Sequence, residues 1–163
     1  MEKQYDIVVV GGGPAGYTAA LYGARAGFKT LVLEKLAAGG QMNLTHQIDN
    51  YPGYDNGVDG FSLGQQMRAG AERFGAETKL AEVKKLTLTG SPKIVETTEG
   101  RYLAGAVILA TGANPRKLNI PLETELTGKG VSYCAFCDGM FYRGKTVVVV
   151  GGGNTDHLNF VSG

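Results

Sequence analysis

A glycine motif between an apolar run and a helical segment most restricts what this chain can fold into. Residues 5–10 form a β-branched apolar run and predict a short buried parallel strand. They lead directly into residues 11–16, Gly-Gly-Gly-Pro-Ala-Gly, which fit the spacing G-x-G-x-x-G. Residues 14–26 predict a helix, and residues 30–33 predict a second strand that closes with Glu34. This order of elements predicts a Rossmann-like unit.

The residues of this unit have separate physical roles. Gly11 permits the tight turn, Gly13 lets the backbone approach a pyrophosphate, and Gly16 lets helix and strand pack closely. Pro14 suits the first helical turn, whose free N–H groups and partial positive charge favour phosphates. Glu34 can accept hydrogen bonds from ribose hydroxyls, and its charge disfavours a 2′-phosphate. The unit therefore predicts a dinucleotide site for FAD or NAD rather than NADP.

The cysteines of the chain, Cys134 and Cys137, are separated by two residues and followed by Asp138. A disulfide between them would close a very short ring and would stabilise the fold little. The spacing instead indicates a redox-active dithiol, with Asp138 as a proton-carrying neighbour. Two alternatives stay open from spacing alone. One is half of a zinc site, completed by His46 and His157, and the other is a pair of inert buried thiols.

Composition narrows the class of protein. The net charge of +1 gives no indication of a nucleic-acid partner or an anionic membrane. The 26 glycines are about twice the usual share and cluster where apolar runs end, as expected for tight turns and close ligand approach. We find no secretory signal and no apolar run near the roughly 20 residues that span a bilayer. We therefore expect a cytoplasmic protein whose disulfide is transient.

The segment after the first unit predicts loops, a helix and a small sheet. Amide and turn residues at 39–42 and 49–53 indicate surface loops. Residues 61–75 predict a helix. Its apolar residues, expected in the core, are Leu63, Met67, Ala71 and Phe74. Residues 77–103 predict an antiparallel β-meander, with a hairpin turn at Glu99-Gly100.

The rest of the chain repeats the opening pattern. Residues 106–110 predict another buried strand, and the proline and charges of 114–117 mark a boundary. Residues 145–150 predict a further buried strand, which runs into Gly151-Gly152-Gly153-Asn154. The chain therefore holds two nucleotide-binding beginnings, with the dithiol just ahead of the second.

Together these features resemble low-molecular-weight thioredoxin reductase, a flavin-dependent pyridine nucleotide disulfide oxidoreductase, from about Tyr5 to Thr155. The resemblance rests on five segments: residues 11–16, Gly39-Gly40-Gln41, Asn50-Tyr51-Pro52-Gly53, Ala110-Thr111-Gly112 and residues 134–139. It implies an N-terminal portion of a homodimeric enzyme that passes electrons from NADPH through FAD and the dithiol to thioredoxin.

The resemblance also implies the fold class and domains. The fold is α/β, with a Rossmann-like FAD-binding domain over residues 1–113 that contains an inserted antiparallel β-meander. The start of a second, NADPH-type domain follows over residues 114–163. The implied FAD-binding residues are Gly11, Gly13, Pro14, Ala15, Gly16, Glu34, Gly40, Gln41, Asn50, Val83, Ala110, Thr111 and Gly112. For the loops at 39–53, flavin contact thus replaces the surface-loop interpretation.

In the second domain, the resemblance implies a role for each residue of the dithiol segment. Cys137 would exchange electrons with the flavin, and Cys134 would attack the thioredoxin disulfide. Asp138 would be the general acid that protonates a leaving thiolate. The implied NADPH-binding residues are Gly151, Gly153 and Asn154.

The sequence departs from the family after Thr155. Asp156 stands where the second glycine motif has its third small residue, so a carboxylate would crowd the helix–strand contact and repel a pyrophosphate. We therefore expect this chain, taken alone, to bind NADPH weakly. Two other interpretations stay open: a truncated FAD-binding module without turnover, and a related flavin disulfide reductase with another partner or electron donor.

Overall fold

The computed structural model describes residues 3–151, except for the side chains of Phe136 and Cys137. The chain divides into two compact units, Met1–Ala113 and Asn114–Gly163. The elements of the first unit are, in chain order, β1 (Lys3–Val10), α1 (Pro14–Arg25), β2 (Thr30–Glu34), a 3₁₀ helix (Gly40–Leu44), α2 (Gly60–Glu72), β3 (Glu77–Leu80), β4 (Val83–Thr87), β5 (Lys93–Thr97) and β6 (Gly100–Leu109). The second unit contains α3 (Glu123–Leu126), α4 (Ala135–Asp138) and a 3₁₀ helix (Gly139–Tyr142).

One sheet of six strands forms the frame of the first unit, in the order β3-β2-β1-β6-β5-β4. β1 pairs in parallel with β2 and β6, and β2 pairs in parallel with β3. β5 pairs antiparallel with both β4 and β6. The predicted α/β fold, a Rossmann-like unit combined with an antiparallel meander, is therefore confirmed.

β6 joins the parallel and antiparallel parts of this sheet. Its residues 100–104 pair antiparallel with β5, while residues 102–109 include the parallel partners of β1. The sequence predicts two separate strands here, at 101–103 and 106–110, and that prediction is wrong. A Cβ on Gly105 would lie 3.0 Å from the carbonyl oxygen of Asp6. Glycine there permits a close backbone approach within one continuous strand.

β3 belongs to the parallel part of the sheet, although the sequence places residues 77–103 in one antiparallel meander. Glu77–Leu80 pairs in parallel with β2, so the meander consists of β4, β5 and the first half of β6. The connection explains the difference. α2 lies between β2 and β3, and a crossover helix returns the chain in the same direction along the sheet.

The central strands are buried on both faces, as a parallel arrangement requires. On one face Val8 and Leu31 pack in an apolar cluster with Val95 of β5. On the other face Val9 and Val32 pack in a second cluster with residues of α1 and α2. All five side chains are 0% exposed. Successive side chains along β1 and β2 therefore point to opposite faces of the sheet, and each face packs in its own cluster.

Local features of the chain set the end of α1 and the start of α2. α1 ends at Arg25, and Gly27 adopts a φ of +85°, a left-handed conformation that suits glycine. α2 begins at Gly60, after the N-cap residue Asp59, whose carboxylate accepts a hydrogen bond from the Ser62 N–H at 2.8 Å. This hydrogen bond lowers the pKa of Asp59. The helices predicted at 14–26 and 61–75 are therefore present, with α2 shorter at its carboxyl end.

The early end of α2 corrects one predicted core residue. Leu63 and Ala71 are buried as predicted, but Phe74 is 39% exposed. Since Phe74 lies beyond the last helical turn, it no longer follows the apolar stripe of the helix. Its ring instead contacts the guanidinium groups of Arg25 and Arg73, at 5.2 and 4.8 Å from the ring centroid.

The buried strand predicted at 145–150 is not formed, and this prediction is wrong for the described residues. Residues 146–150 have no regular secondary structure, and Val148 is 88% exposed. A strand needs a neighbouring strand to receive its backbone hydrogen bonds. Among the described residues between 114 and 151, the only β-structure is an isolated bridge between Thr127 and Val131.

Glu123 organises the first part of the second unit. It is 6% exposed, and its carboxylate accepts hydrogen bonds from the backbone N–H groups of Leu118, Asn119 and Ile120, at 3.2, 2.6 and 3.3 Å. The hydroxyl of Tyr133 donates to the same carboxylate. One side chain thus ties the loop before α3 to the residue that precedes Cys134.

We predict that Glu123→Ala loosens this loop, because the Asn119 and Ile120 N–H groups and the Tyr133 hydroxyl lose their acceptor. The Leu118 N–H keeps only its contact with the Tyr133 hydroxyl, at 3.3 Å. Hydrogen exchange of the Leu118, Asn119 and Ile120 amides should become about tenfold faster or more. Glu125→Ala is the matched control, since Glu125 lies on the same helix and is exposed. Unchanged exchange at the three amides in Glu123→Ala would contradict this role.

Tyr5 gives the first unit a sensitivity to alkaline pH. Its side chain is 3% exposed, and its hydroxyl donates to Glu77 Oε2 at 2.8 Å. Burial, followed by the hydrogen bond and charge of Glu77, raises the pKa of Tyr5. Above about pH 10, the ordinary tyrosine pKa, the unfolded chain therefore releases this proton more readily than the folded chain.

The predicted consequence is a free energy of unfolding that falls as the pH rises above about 10. Tyr5→Phe should make this fall less steep, and Tyr17, whose pKa is also raised by burial, should account for part of the remainder. Urea unfolding at several pH values measures both slopes. Tyr22→Phe, at a side chain that is 63% exposed, is the control. Equal slopes for Tyr5→Phe and the unmodified protein would refute the assignment.

Candidate functional site

The turn between β1 and α1 has two positions that only glycine can occupy. Gly11 has a φ of +106°, and a Cβ there would lie 2.2 Å from the carbonyl oxygen of Ala110. A Cβ on Gly16 would lie 1.9 Å from the carbonyl oxygen of Gly11. Real Cβ atoms do not approach backbone oxygens this closely, so both contacts require a missing side chain. These are the turn and packing roles that the motif assigns to the two glycines.

Gly13 differs, because the space beside it is open. A Cβ on Gly13 would meet no atom within 4 Å. Gly13 is also the N-cap of α1, where no side chain caps the helix and Pro14 takes the first position. The first N–H groups of a helix lack partners within the helix, and together they attract an anion. Open space in front of an uncapped helix suits a phosphate group.

The carboxylate of Glu34 lies directly beside this turn. Its Oε2 accepts a hydrogen bond from the Gly12 N–H at 2.6 Å, and its Oε1 accepts one from the Leu36 N–H at 3.1 Å. A carboxylate can accept about four hydrogen bonds, so further acceptor positions remain for ribose hydroxyls. The structure thus brings Glu34 to the glycine turn, as predicted from its place at the end of β2.

Gly12 belongs to the site although the motif leaves its position unspecified. A Cβ on Gly12 would lie 2.9 Å from Glu34 Oε2, so a side chain there would displace the carboxylate. The Gly12 carbonyl oxygen accepts a hydrogen bond from the Gly39 N–H at 2.7 Å. The spacing G-x-G-x-x-G contains no signal for this residue. Gly12 has this role because β1 and β2 are neighbouring strands, so that Glu34 at the end of β2 lies beside Gly12 at the end of β1.

Two further predicted segments lie against the same turn. A Cβ on Gly40 would be 3.4 Å from the Cα of Gly13. The amide of Gln41 donates to the carbonyl oxygen of Ala113 at 3.3 Å, which ties the Gly39–Gln41 loop to the segment after β6. That segment begins with Ala110, whose N–H donates to Val10 at 2.9 Å. The segments at 11–16, 39–41 and 110–113 thus meet at the carboxyl ends of β1 and β6.

Val83 and Asn50 take more peripheral positions. Val83 begins β4 and packs against the apolar cluster around Val8. It follows Glu82, which forms an ion pair with Lys35 at 3.0 Å and so holds β4 near the end of β2. Asn50 is exposed in a different loop, whose ends are joined by the bridge between Ile48 and Val58.

Hydrogen bonds among Ser132, Cys134 and Asp138 hold the dithiol segment of the second unit. Cys134 is half-buried and disulfide-bonded, and it directly precedes the single turn α4. The Asp138 N–H donates to the Cys134 carbonyl oxygen at 3.0 Å. The hydroxyl of Ser132 donates to Asp138 Oδ2 at 2.6 Å and accepts from the Cys134 N–H at 3.1 Å. No motif in the sequence indicates Ser132.

Part of the predicted second site lies outside the described residues. Gly151 is described and exposed, whereas Gly153, Asn154 and Asp156 are not among the described residues. Among the side chains that the structure describes, which exclude that of Cys137, no group of three or more His, Cys, Asp or Glu is placed to hold a metal ion. No helix among residues 3–151 is both long enough and apolar enough to span a membrane.

Comparison with known proteins gives the family. A family model described as pyridine nucleotide-disulphide oxidoreductase matches residues 5–155. A thioredoxin reductase of Peptoclostridium litorale is 49% identical over 155 residues, which cover 95% of this chain and 49% of that protein. The chain therefore spans about half the length of the thioredoxin reductases that it matches.

Solved structures agree with the sequence matches. The thioredoxin reductase from Streptococcus pyogenes MGAS5005 is 45% identical and has a TM-score of 0.81, over 88% of this chain and 46% of that chain. A ferredoxin-flavin thioredoxin reductase from Clostridium acetobutylicum is 29% identical and has a TM-score of 0.62, over 88% of this chain and 50% of that chain. The predicted resemblance to thioredoxin reductases is thus confirmed, and the chain belongs to the pyridine nucleotide-disulphide oxidoreductase family.

Proposed function

We propose that this chain is the N-terminal part of a flavin-dependent thioredoxin-disulfide reductase, which passes electrons from NADPH through FAD and the dithiol to thioredoxin. The observation that carries the proposal is the combination of two sites in one chain. The first unit has a dinucleotide half-site around Gly13 and Glu34, and the second has the disulfide-bonded Cys134 beside Asp138. The relatives that this chain matches over most of its own length are thioredoxin reductases.

The residues of the first unit fit FAD. The open space beside Gly13 and the uncapped start of α1 would receive the pyrophosphate, with Ala15 and Gly16 in the first helical turn. The free acceptor positions of Glu34 would hold the adenosine ribose, and Gly40, Gln41, Asn50, Val83 and residues 110–112 would complete the surroundings. When bound, the flavin would supply two-electron exchange between a nicotinamide and a disulfide.

The dithiol would carry out a balanced disulfide exchange. The Cys134 thiolate attacks one sulfur of the thioredoxin disulfide, that S–S bond breaks, and a mixed disulfide forms. The sulfur that leaves as a thiolate takes a proton from Asp138. The Cys137 thiolate then attacks the Cys134 sulfur, and the mixed disulfide breaks. The second thioredoxin sulfur leaves as a thiolate that takes its proton from solvent, and the bond between Cys134 and Cys137 is restored. Two electrons thus move from the dithiol to thioredoxin, and the disulfide-bonded Cys134 of this structure represents the oxidised state.

A second candidate differs in the electron donor. The similarity to a ferredoxin-flavin thioredoxin reductase, at 29% identity, favours this alternative. Gly153 and Asn154, two of the three residues proposed to contact NADPH, lie outside the described residues. A homodimer and a cytoplasmic location belong to the main proposal, and both are supported by the resemblance to thioredoxin reductases.

The FAD site is tested by Gly13→Val. The backbone of Gly13, with φ −82° and ψ −173°, accepts a side chain, and its Cβ would enter open space. The apoprotein should therefore keep its fold, while FAD affinity falls by about tenfold or more, a change of about 1.4 kcal/mol. Circular dichroism checks the fold, and quenching of flavin fluorescence measures binding.

Two other glycine variants make this result specific. Gly70→Val is the control, because a Cβ there also meets no atom within 4 Å but Gly70 lies on α2. Gly16→Ala should lose fold and FAD together, because of its contact with the Gly11 oxygen. Undiminished FAD affinity in Gly13→Val, or FMN as the cofactor released by acid, would refute the assignment.

The exchange mechanism is tested by trapping. A thioredoxin with a single active-site cysteine is first activated as its mixed disulfide with thionitrobenzoate. The Cys137→Ser chain should displace the coloured thiolate and stay linked to thioredoxin, because it has no second thiol to resolve the bond. The Cys134→Ser chain should form this link much more slowly. Mass spectrometry identifies the linked pair, and equal yields from the two variants would contradict the assigned roles.

A further inference from the structure

Ser132 connects the two chemically distinct parts of the dithiol segment. Its Oγ accepts a hydrogen bond from the Cys134 N–H at 3.1 Å and donates one to Asp138 Oδ2 at 2.6 Å. The Asp138 N–H in turn donates to the Cys134 carbonyl oxygen at 3.0 Å. These three bonds join Ser132, two positions before the dithiol motif, to the first cysteine and the acid of the motif in one closed ring.

The hydroxyl hydrogen of Ser132 has two acceptors within reach. The Cys134 carbonyl oxygen lies 3.3 Å from Oγ, and the Asp138 carboxylate lies 2.6 Å from it. A hydroxyl donates only one hydrogen, and the shorter of the two contacts is the stronger hydrogen bond. The hydrogen therefore points to Asp138, while the lone pairs of the same oxygen receive the Cys134 N–H.

Asp138 needs such a partner, because its own helix restricts it little. α4 contains four residues, Ala135–Asp138, and Asp138 is the last of them. A single helical turn is marginally stable by itself, and a side chain at its end can adopt several rotamers. The contact with Ser132 favours the rotamer in which the carboxyl group lies toward the residues before the motif.

We propose that Ser132 is a positioning residue for disulfide exchange, because it holds the Asp138 carboxyl group in one rotamer and orients the backbone of Cys134. The inference rests on the proposed function, in which Asp138 protonates the thiolate that leaves when Cys134 attacks. A general acid must lie within hydrogen-bond reach of the group that it protonates. A carboxyl group that moves among rotamers transfers its proton less often.

The surroundings of Ser132 separate this role from a structural one. Ser132 is exposed, so its removal opens no cavity. The neighbouring Tyr133 is held independently, since its hydroxyl donates to the buried Glu123. Ser132→Ala should therefore keep the fold of the segment and lose only the hydroxyl contacts.

The test measures a single turnover of the whole chain. The dithiol is first reduced, the reductant is removed, and oxidised thioredoxin is added. The rate at which thioredoxin thiols appear is then followed for the unmodified chain, Ser132→Ala, Asp138→Asn and the double variant. Ser132→Thr keeps the hydroxyl and tests rescue, and Ser91→Ala, at an exposed serine of the first unit, is the matched control.

The expected pattern is a coupled loss of rate. Asp138→Asn should slow the maximal rate by about 100-fold, and Ser132→Ala should slow it by about tenfold. The half-saturating thioredoxin concentration should not change. Because Ser132 acts through Asp138, the double variant should be no slower than Asp138→Asn alone. Ser132→Thr should recover most of the rate.

Three results would overturn the inference, and they show whether the proposed acid fails with it. If Asp138→Asn loses rate while Ser132→Ala does not, or if the two losses multiply, Ser132 does not act through Asp138 and the proposed acid stands. If Asp138→Asn itself keeps the full rate, the acid assignment in the proposed function fails together with the role of Ser132.

Discussion

The first unit depends on close backbone contact at the turn that follows its central strand. The Gly11 backbone packs on the carbonyl oxygen of Ala110, and the Cα of Gly16 packs on the carbonyl oxygen of Gly11. A side chain at either position would push β1 away from the end of β6, or α1 away from β1. Because β1 is buried on both faces, such a shift would open both apolar clusters at once. The packing of the first unit therefore requires Gly11 and Gly16, whether or not a ligand binds at the turn.

The same contact explains why the proposed cofactor site consists largely of backbone. β1, β2 and β6 run in parallel, so their carboxyl ends meet at one edge of the sheet, where α/β folds bind ligands. Close packing excludes side chains at Gly11 and Gly16, whereas the space in front of Gly13 is open. Glu34 is the charged group that reaches this edge, and the Gly12 N–H fixes its carboxylate at 2.6 Å. A site of this kind recognises phosphate and ribose by shape and hydrogen bonding.

The sequence predicts the elements that are specified by residues close together in the chain. It misses the features that depend on contacts between residues far apart in the chain. The first strand, glycine turn and helix are predicted well, because each is specified within a few residues. β6 is missed as one strand, since its continuity depends on close packing of Gly105 against Asp6, far away in the sequence. The strand at 145–150 fails for the opposite reason: its local pattern is strong, but the described residues around it offer no neighbouring strand. Ser132 and Glu123 carry no motif, because their roles depend on loop geometry.

The two units, each considered by itself, hold their sites by different means. In the first unit, buried apolar clusters fix the strands whose ends carry the glycine turn. Among the residues of 114–151 whose burial is described, Glu123 alone is buried, and it holds its loop through hydrogen bonds. Local opening costs less free energy in a segment held by hydrogen bonds to polar side chains than in a packed apolar core. In the proposed exchange, the thiol pair forms and breaks bonds with an outside disulfide. This would require access and local adjustment, and an apolar core around the pair would oppose both. The ring of Ser132, Cys134 and Asp138 meets this need, because it orders the acid and the first cysteine without burying them.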